Sequence, residues 1–207
     1  MTTNIPAPVP RPRGRPRKFD PDTAIATAQA LFQARGYDAV GVADLTEALG
    51  INPPSFYAAF GSKAGLFARV LERYSRCNGL PLEALLRPGR PLDEALAALF
   101  EEAARRYAAG AASTGAPDTA AGCLVLEGQR CNDPAARDAA GALNDAAIDA
   151  IRAFIAARHP ARAEALTDYV LAVLTGLSSA ARAGHGPERL LATAALAAGA
   201  ARAALAA

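Results

Sequence analysis

The sequence has few cysteines: Cys77, Cys123 and Cys131 are the three among 207 residues, and no two of them form a CxxC pair. An odd number at wide spacing argues against a disulfide framework and against a structural zinc site. Cys123 and Cys131 are eight positions apart, about 12 Å along an ideal helix, which is too far for both to bind one metal ion unless the helix breaks. We therefore expect a reducing cytoplasmic location, no bound metal and no cofactor.

Long apolar runs are also missing. The N-terminus lacks the continuous apolar core of a signal peptide, and no apolar run reaches the roughly 18 to 20 residues that span a bilayer. Arg182 and Arg202 interrupt the two longest candidates. The sequence therefore predicts that the protein has no membrane partner.

The residue patterns that mark common enzyme classes are absent too. We find no Ser/His/Asp arrangement, no phosphate-binding loop and no metal-ligand spacing in the chain. The sequence therefore predicts that the protein is not an enzyme.

Positive charge is concentrated at one end of the chain. Residues 1–76 hold 10 Lys or Arg and 6 Asp or Glu, whereas residues 77–207 hold 12 and 14, so the two parts carry net charges of +4 and −2. A basic N-terminal third on a mildly acidic remainder suggests a polyanion-binding module attached to a body with another task. The hydrophobic content of 52% is ordinary for a folded protein with a substantial core.

Residues 1–19 are rich in Pro and Arg, and we expect them to be a disordered basic arm. The chain after this arm has the periodicity of apolar residues that is typical of helices. Asp22 is a suitable N-cap for a first helix, which Gly36 ends. The apolar residues that share one face of this helix are Ile25, Ala28, Leu31 and Phe32.

The rest of the chain also predicts helices. Three more fit before residue 78, and the segments expected beyond Pro81 are 91–110, 122–131, 134–158, 160–184 and 187–205. The sequence therefore predicts an all-α protein, with one domain at residues 20–76 and another at residues 77–207.

Two short helices joined by "LGIN", residues 49–52, form a helix-turn-helix pattern. Gly50 allows the sharp turn, Ile51 fills the angle between the helices and Asn52 caps the second helix. The residues after the cap are Pro53 and Pro54, whose missing N–H groups are tolerated in the first turn. The cap must therefore act on the N–H group of Ser55.

The stretch "LFQARGYDAVGVADLTEALGINPPSFYAAFGSKAGLF", residues 31–67, resembles the DNA-binding domain of the TetR family of bacterial transcriptional regulators. Its Gly-Tyr, helix-turn-helix, Tyr-x-x-Phe and Ser-Lys elements follow in the family's order. The resemblance implies an all-α homodimer with an N-terminal three-helix helix-turn-helix DNA-binding domain. It also implies a C-terminal helical domain that holds a small-molecule effector and the dimer interface.

The resemblance further implies which residues contact double-stranded DNA. The helix that begins at Asn52 would lie in the major groove, and the prolines could rest against thymine methyl groups. Lys63 resembles the family's phosphate-contacting lysine. The implied contacts of the helical domain are Thr46, Asn52, Pro53, Pro54, Ser55, Tyr57 and Lys63.

The chain departs from the family pattern at two places. Val40 and Gly41 stand where Thr or Ser usually opens the second helix, so a side-chain cap and a phosphate contact are missing. Ala64 and Gly65 replace the acidic residue that often follows the Ser-Lys pair, so Ser62 has no reciprocal capping partner.

The segment "RGRP", residues 13–16, resembles the core of an AT-hook, which lies along a narrow minor groove. The arm would then contribute salt-sensitive DNA affinity through Arg13, Arg15, Arg17 and Lys18. The alternative is a solvated basic tail with only diffuse attraction.

The C-terminal part offers weaker candidates. Polar groups in an otherwise apolar region suggest an effector pocket formed by Tyr107, Cys123, Glu127, Arg130, Cys131 and Tyr169. Metal or thiol sensing by a cysteine and a merely structural buried cysteine both remain possible interpretations. The last two helices suggest a four-helix dimer interface formed by Leu166, Val170, Val173, Leu174, Leu177, Leu190, Leu191 and Ala194. The alternative is that these residues close the monomer's own core.

Together these observations predict a homodimeric, ligand-responsive repressor that binds a palindromic operator. Its effector would favour a dimer in which the recognition helices no longer match half-sites about 34 to 36 Å apart. The competing hypothesis is an architectural protein that binds A·T-rich minor grooves through the arm alone, without a palindrome.

Overall fold

The computed structural model describes residues 20–109 and 122–206. These residues are largely α-helical and contain no β-strand. The predicted minor-groove residues Arg13, Arg15, Arg17 and Lys18 lie outside the described residues. The α-helices are α1 (Pro21–Arg35), α2 (Val42–Leu49), α3 (Pro53–Phe60), α4 (Lys63–Cys77), α5 (Leu82–Leu85), α6 (Leu92–Ala109), α7 (Leu124–Gly128), α8 (Pro134–Ala156), α9 (Ala163–Arg182) and α10 (Pro187–Ala206).

The N-cap of the first helix lies two residues before the predicted one. Asp20, not Asp22, is the N-cap of α1, and its side chain accepts a hydrogen bond from the Asp22 N–H group at 3.3 Å. Pro21 takes the first helical position because its fixed φ and missing N–H group suit that place. Gly36 ends the helix with a φ of 79°, as predicted.

The face that α1 buries also differs from the predicted one. Ala24, Ala28 and Phe32 are buried, whereas Ile25 and Leu31 are only half-buried. These two residues pack against the edge of the core. The small side chains of the buried alanines let α1 lie close to α4.

The helices of the C-terminal part follow the predicted segments closely, with three differences. The four-residue helix α5 was not predicted, α7 is shorter than its predicted segment, and a 3₁₀ turn at Pro160–Arg162 precedes α9. Gly128 ends α7 at a crowded point, where a Cβ atom would lie 2.9 Å from the Ala140 Cβ and 3.1 Å from the Phe67 Cε1. Close packing of α7 against α4 and α8 therefore requires glycine there.

The buried residues form two apolar clusters. One combines α1 to α4 with residues of α7 and the start of α8, among them Leu124, Ala136 and Ala140. The other joins α5, α6, α9 and α10 with the C-terminal half of α8. The helix-turn-helix part therefore shares its core with the α7–α8 corner.

Helix α10 corrects one expectation from the sequence. Within the described residues, this 20-residue helix is long and apolar enough to cross a membrane by length and composition, although only 22% of its most apolar window is buried. Arg202 stands near its end and leaves an apolar stretch before it. The helix packs lengthwise on α6, and the Arg202 guanidinium pairs with Asp93 at 3.2 Å.

Candidate nucleic-acid interface

The turn between α2 and α3 has the predicted geometry. Gly50 adopts a left-handed conformation, with φ 64° and ψ 32°, which glycine tolerates best. Its N–H group donates to the Glu47 carbonyl at 3.1 Å, and that of Ile51 donates to the Thr46 carbonyl at 3.1 Å. Ile51 packs half-buried against the core, as a residue filling the angle between two helices must.

The cap of α3 confirms the prediction made from the two prolines. The Asn52 side-chain oxygen accepts a hydrogen bond of 2.9 Å from the Ser55 N–H group. Pro53 and Pro54 have no N–H groups to offer at the preceding positions. Asn52, Pro53, Pro54 and Ser55 are all exposed at the start of the helix.

Two phenylalanines fix which face of α3 points outward. Phe56 and Phe60 are buried with ring centroids 5.5 Å apart, and the Arg69 guanidinium lies 5.5 Å from the Phe60 centroid. The Tyr57 ring contacts the Phe56 ring edge to face, with centroids 5.4 Å apart, yet Tyr57 is 51% exposed. It is one of two exposed large hydrophobic residues in the described part of the chain, the other being Leu196. An exposed aromatic ring beside prolines forms a surface suited to binding.

Thr46 does not belong to this exposed surface. The residue is buried, and its hydroxyl group donates to the Ala43 carbonyl of the same helix at 3.0 Å. The single hydroxyl hydrogen is committed to this bond, so Thr46 could donate to a phosphate only by breaking it. We therefore assign Thr46 to helix packing and leave it out of the proposed contacts.

Lys63 lies further inside than the sequence suggested. Its Nζ donates to the carbonyl oxygens of Tyr37 at 3.1 Å and Val40 at 3.0 Å, and lies 3.9 Å from the centroid of the Tyr37 ring. The ammonium group has three N–H donors, so one is left for a phosphate. The phosphate contact stays a prediction, and Lys63 also holds the loop between α1 and α2 against α4.

The two departures from the family pattern have local solutions. The Asp44 carboxylate accepts from the Gly41 N–H group at 2.7 Å and pairs with Arg35 at 2.8 Å, so it fastens the start of α2 although no side chain caps the helix. The hydrogen bond from Arg35 is the main reason that the pKa of Asp44 is lowered.

The start of α4 explains the second departure. The Ser62 Oγ accepts from the Gly65 N–H group at 2.9 Å, as predicted. A Cβ atom at Gly65 would lie 2.3 Å from the Phe60 carbonyl oxygen. The tight turn between α3 and α4 therefore leaves no room for an acidic side chain at this position.

Several hydrogen bonds connect residues 20–76 to later residues of the chain. The Tyr37 hydroxyl group donates to an Asp133 carboxylate oxygen at 2.6 Å. The Asn132 N–H group donates to both carboxylate oxygens of Asp38, at 3.0 and 3.1 Å. On the other side, the Gln29 side-chain amide donates to the Asn78 Oδ1 at 3.1 Å.

A cavity of about 320 Å³ lies between the end of α4 and the C-terminal helices. Leucine, isoleucine and alanine side chains of α8 and α9 form much of its wall. Polar groups interrupt this wall at a few places, which include Tyr74, Asn78, Tyr107, Cys123, Asn144 and Thr175. A mostly apolar cavity with few polar groups is typical of a small-molecule site.

The predicted pocket residues divide into two groups. Tyr107 and Cys123 line the cavity. The other four predicted residues do not line this cavity, which corrects the prediction for Glu127, Arg130, Cys131 and Tyr169. Glu127 pairs with Arg130 at 3.5 Å and with Arg182 at 3.4 Å.

The remaining two residues have structural partners. Cys131 is buried in the cluster that contains α1 to α4. The Tyr169 hydroxyl group donates to the Ala197 carbonyl at 2.8 Å and so joins α9 to α10. Neither residue is part of the cavity wall.

Sequence reasoning missed the contribution of α4. Tyr74 and Asn78 stand one helical turn apart at the end of α4 and face the cavity. Two polar residues at that spacing after an apolar stripe were a usable signal. Asn144 gives the same signal on α8, because it interrupts the apolar series formed by Leu143, Ile148 and Ile151.

The polar groups at the cavity are uncharged. Burial raises the pKa of the Cys123 thiol, which therefore stays protonated at neutral pH. Burial also raises the pKa values of Tyr74 and Tyr107 well above the usual range of tyrosine. Among the residues that the structure describes, no group of three or more His, Cys, Asp or Glu side chains could hold a metal ion.

The predicted dimer-interface residues are mostly parts of the monomer's own core. Apolar periodicity marks a buried face without telling whether the same chain or a second copy covers it. Val173 and Leu191 are half-buried at the edge of that core. The residues that are buried within one chain are Leu166, Val170, Leu174, Leu177, Leu190 and Ala194.

Comparisons with known proteins agree with this architecture. The sequence model described as bacterial regulatory proteins, tetR family, matches residues 24–70. The HTH-type transcriptional repressor BdcR of Escherichia coli (strain K12) is 51% identical over 184 residues, which cover 89% of this chain and 90% of BdcR. The HTH-type transcriptional repressor ComR of the same strain is 32% identical, and the match covers 92% of this chain and 93% of ComR.

A solved structure is similar along nearly the whole chain. It contains a cysteine mutant of the TetR family transcriptional regulator CifR with a 26-base-pair double-strand operator DNA. The two chains are 35% identical with a TM-score of 0.75, and the match covers 89% of this chain and 98% of CifR. These findings confirm the all-α fold and the resemblance found in the sequence. The chain therefore belongs to the TetR family of bacterial transcriptional regulators.

Proposed function

We propose that this protein is a repressor that binds a palindromic operator as a homodimer and leaves it when a small molecule occupies the cavity. The observation that carries the proposal is the start of α3, where Asn52 caps a helix whose exposed face carries Ser55 and Tyr57. The names of BdcR and ComR, and the operator DNA bound to CifR, support this function.

The outward face of α3 suits the major groove. Ser55 and Tyr57 offer hydroxyl groups to phosphates or base edges, and the rings of Pro53 and Pro54 offer apolar contact to thymine methyl groups. Buried Phe56 and Phe60 hold the helix in one orientation, so these contacts are presented as a rigid set. Rigid presentation favours sequence discrimination because little conformational entropy is lost on binding.

The charge distribution assigns a separate task to the N-terminal arm. Residues 20–76 carry 5 Lys or Arg and 6 Asp or Glu, a net charge of −1, whereas residues 1–19 carry 5 Lys or Arg and no acidic residue. Electrostatic attraction to phosphates must therefore come largely from the arm. The arm-only architectural hypothesis uses the same charge, but it leaves the exposed surface of α3 without a role.

The second copy would dock on the exposed faces of α9 and α10. Leu196 is 78% exposed on α10, a degree of exposure that is costly for a leucine without a partner. Small residues surround it and would let two helix pairs approach closely. The exposed apolar positions of these faces are Ala165, Ala172, Gly176, Ala192, Ala195, Leu196, Gly199, Ala200 and Ala203.

The oligomeric state tests this part of the proposal. We expect Leu196→Glu to convert a dimer into a monomer in sedimentation equilibrium, because the charge would lose its hydration at the interface. Ala153→Glu on exposed α8 is the matched control and should leave the dimer intact. A monomeric wild-type protein, or an unchanged dimer in the Leu196 variant, would contradict the assignment.

Helix α4 supplies a physical route from the cavity to the DNA-binding surface. It has 15 residues, about 22 Å of helix, with Lys63 at its start and Tyr74 and Ser75 on the cavity wall near its end. A ligand that displaces the end of α4 would also displace the loop that Lys63 holds. About 2 to 3 kcal/mol of coupling between the two sites would change operator affinity tens-fold or more.

A further inference from the structure

We propose that the cavity binds an uncharged, mainly apolar small molecule with one hydrogen-bond-accepting oxygen, of the ketone or ester class, and that the phenol groups of Tyr74 and Tyr107 hold this oxygen. The regulatory effect of such a ligand on DNA rests on the proposed function. The binding itself depends only on the cavity.

Charge complementarity excludes ionic ligands from this space. None of the described residues that line the cavity is Asp, Glu, Lys or Arg. An ionic ligand would therefore leave water without gaining a counter-ion, which is costly in an apolar site.

Glu127 and Arg106, which are adjacent in sequence to the lining residues Leu126 and Tyr107, already have partners. Glu127 of α7 pairs with Arg182 at 3.4 Å. Arg106 of α6 pairs with Glu102 at 2.6 Å and donates to the Gly79 carbonyl at 2.9 Å. A carboxylate that paired with Arg106, or an ammonium group that paired with Glu127, would have to break one of these existing pairs.

The two phenols define where the oxygen would lie. Tyr74 comes from α4 and Tyr107 from α6, yet both side chains lie beside the Cys123 thiol on the cavity wall. Both residues are almost completely buried, and burial keeps the phenols protonated because it raises their pKa values. Each phenol is hydrogen-bonded to the Cys123 thiol, and a ligand oxygen, which is a stronger acceptor than sulfur, would take the place of that weak partner.

The thiol between the phenols favours reversible binding. Burial raises the pKa of Cys123, so the nucleophilic thiolate is scarce at neutral pH. The Cys123 N–H group donates to the Ser178 hydroxyl at 2.9 Å, which fixes the residue against α9. The thiol thus adds a small polarisable contact to the wall, not a covalent attachment point.

The apolar wall and the volume of the cavity determine the polarity and the size of the remainder of the ligand. The apolar part of the wall includes Leu143, Ile148 and Ile151 of α8 and Leu171 and Leu174 of α9. The volume of about 320 Å³ is near the lower limit for small-molecule sites. A single ring or a short alkyl chain with one carbonyl group matches both properties.

Four ligands of nearly equal size and shape test the proposal: acetophenone, cumene, benzoate and 1-phenylethylammonium. Binding to the full-length protein would be measured by titration calorimetry near pH 7. We expect acetophenone to bind about tenfold more tightly than cumene, which lacks the acceptor oxygen. We expect both ions to bind at least about a hundredfold more weakly than acetophenone.

Replacing both phenols separates their role from cavity shape. In the Tyr74→Phe, Tyr107→Phe double variant, acetophenone should lose its advantage over cumene, while cumene binding stays within about twofold and shows that the cavity is intact. Tyr169→Phe is the matched control, because its hydroxyl group bonds to Ala197 outside the cavity. The Tyr169→Phe variant should bind acetophenone and cumene as tightly as the wild type does.

A substitution that fills the cavity tests whether the ligands bind there. Ala147→Leu places three more carbon atoms in the cavity and should weaken acetophenone and cumene alike, by about tenfold or more. The same substitution at exposed Ala150 on α8 should have no effect.

Several results would overturn the proposal. They are tight binding of benzoate or 1-phenylethylammonium, no binding of acetophenone, an undiminished acetophenone advantage in the double phenol variant, or a mass increase that shows a covalent adduct. Operator affinity is measured separately. If acetophenone binds as expected but operator affinity is unchanged, the ligand class stands and the proposed release mechanism fails.

Discussion

The Tyr37 hydroxyl group donates a hydrogen bond of 2.6 Å to the carboxylate of Asp133, 96 positions later in the chain. Tyr37 belongs to the loop that enters the helix-turn-helix, and Asp133 is the N-cap of α8. The same tyrosine packs its ring against Phe32 and Phe67, with centroids 5.6 and 4.7 Å away, and lies beneath Lys63. One residue therefore ties the DNA-binding surface to the α7–α8 corner, and α7 also lines the cavity.

The first prediction concerns the acid stability of this connection. The hydrogen bond from Tyr37 is the main cause that lowers the pKa of Asp133, and the N–H groups of Ala136 and Ala135 add to it. A carboxyl group whose pKa is lower in the folded state stabilises the fold above its unfolded pKa, about 3.9, and loses this contribution as the pH falls through the folded value.

The variant Tyr37→Phe should therefore be less stable than the wild type at pH 7, and the difference should shrink below about pH 4. Urea unfolding at a series of pH values measures this. Tyr169→Phe serves as the control, because its hydroxyl group has no carboxylate partner. A stability difference that stays constant down to about pH 2 would show that the Tyr37–Asp133 bond does not carry the effect.

Lys63 should matter for stability as well as for DNA affinity. Lys63→Met keeps the apolar stem but leaves the carbonyl oxygens of Tyr37 and Val40 without their donor, at a cost of about 1–3 kcal/mol. We expect a lower urea midpoint and weaker binding to all DNA sequences alike. Normal stability together with a loss at a single base pair would assign Lys63 to base recognition instead.

Gly65 should tolerate no side chain. Gly65→Ala places a Cβ atom 2.3 Å from the Phe60 carbonyl oxygen, so the turn between α3 and α4 must open, at a cost of about 1–3 kcal/mol. Gly141→Ala is the matched control on α8, where a Cβ atom meets no other atom within 4 Å. That variant should gain about 0.5–1 kcal/mol, because alanine is the better helix former. Equal effects at the two glycines would contradict the close approach.

The arm should supply salt-dependent affinity. Deleting residues 1–18 removes 5 Lys or Arg, and each phosphate contact contributes about 0.9 to the slope of log K against log salt. We expect weaker binding and a shallower slope, with the preferred sequence of the palindrome centre unchanged. Fluorescence anisotropy over a salt series measures both quantities. An unchanged slope would dismiss the minor-groove role of Arg13, Arg15, Arg17 and Lys18.

Local rules predicted the local features. The Asn52 cap on Ser55 followed from the two prolines, and the ends of α1 and α2 followed from Gly36 and Gly50. Such features depend on residues close together in sequence, whose backbone requirements are strict.

Side-chain direction and cavity walls depend on distant residues, and here the sequence was less informative. Nothing near Lys63 in the sequence indicates that its amine turns toward Tyr37 and Val40. Leu174 has the spacing of an interface residue, but it is buried in the core of its own chain and lines the cavity. The cavity collects residues from six helices, α4 to α9, so no single segment reveals it.

The most direct test of the central claim is selection of bound fragments from random double-stranded DNA by the purified full-length protein. We expect a palindrome whose half-site centres are about 34–36 Å apart, because two copies of α3 must enter successive major grooves on one face of the duplex. Enrichment of A·T-rich fragments without a palindrome, or no enrichment at all, would contradict it.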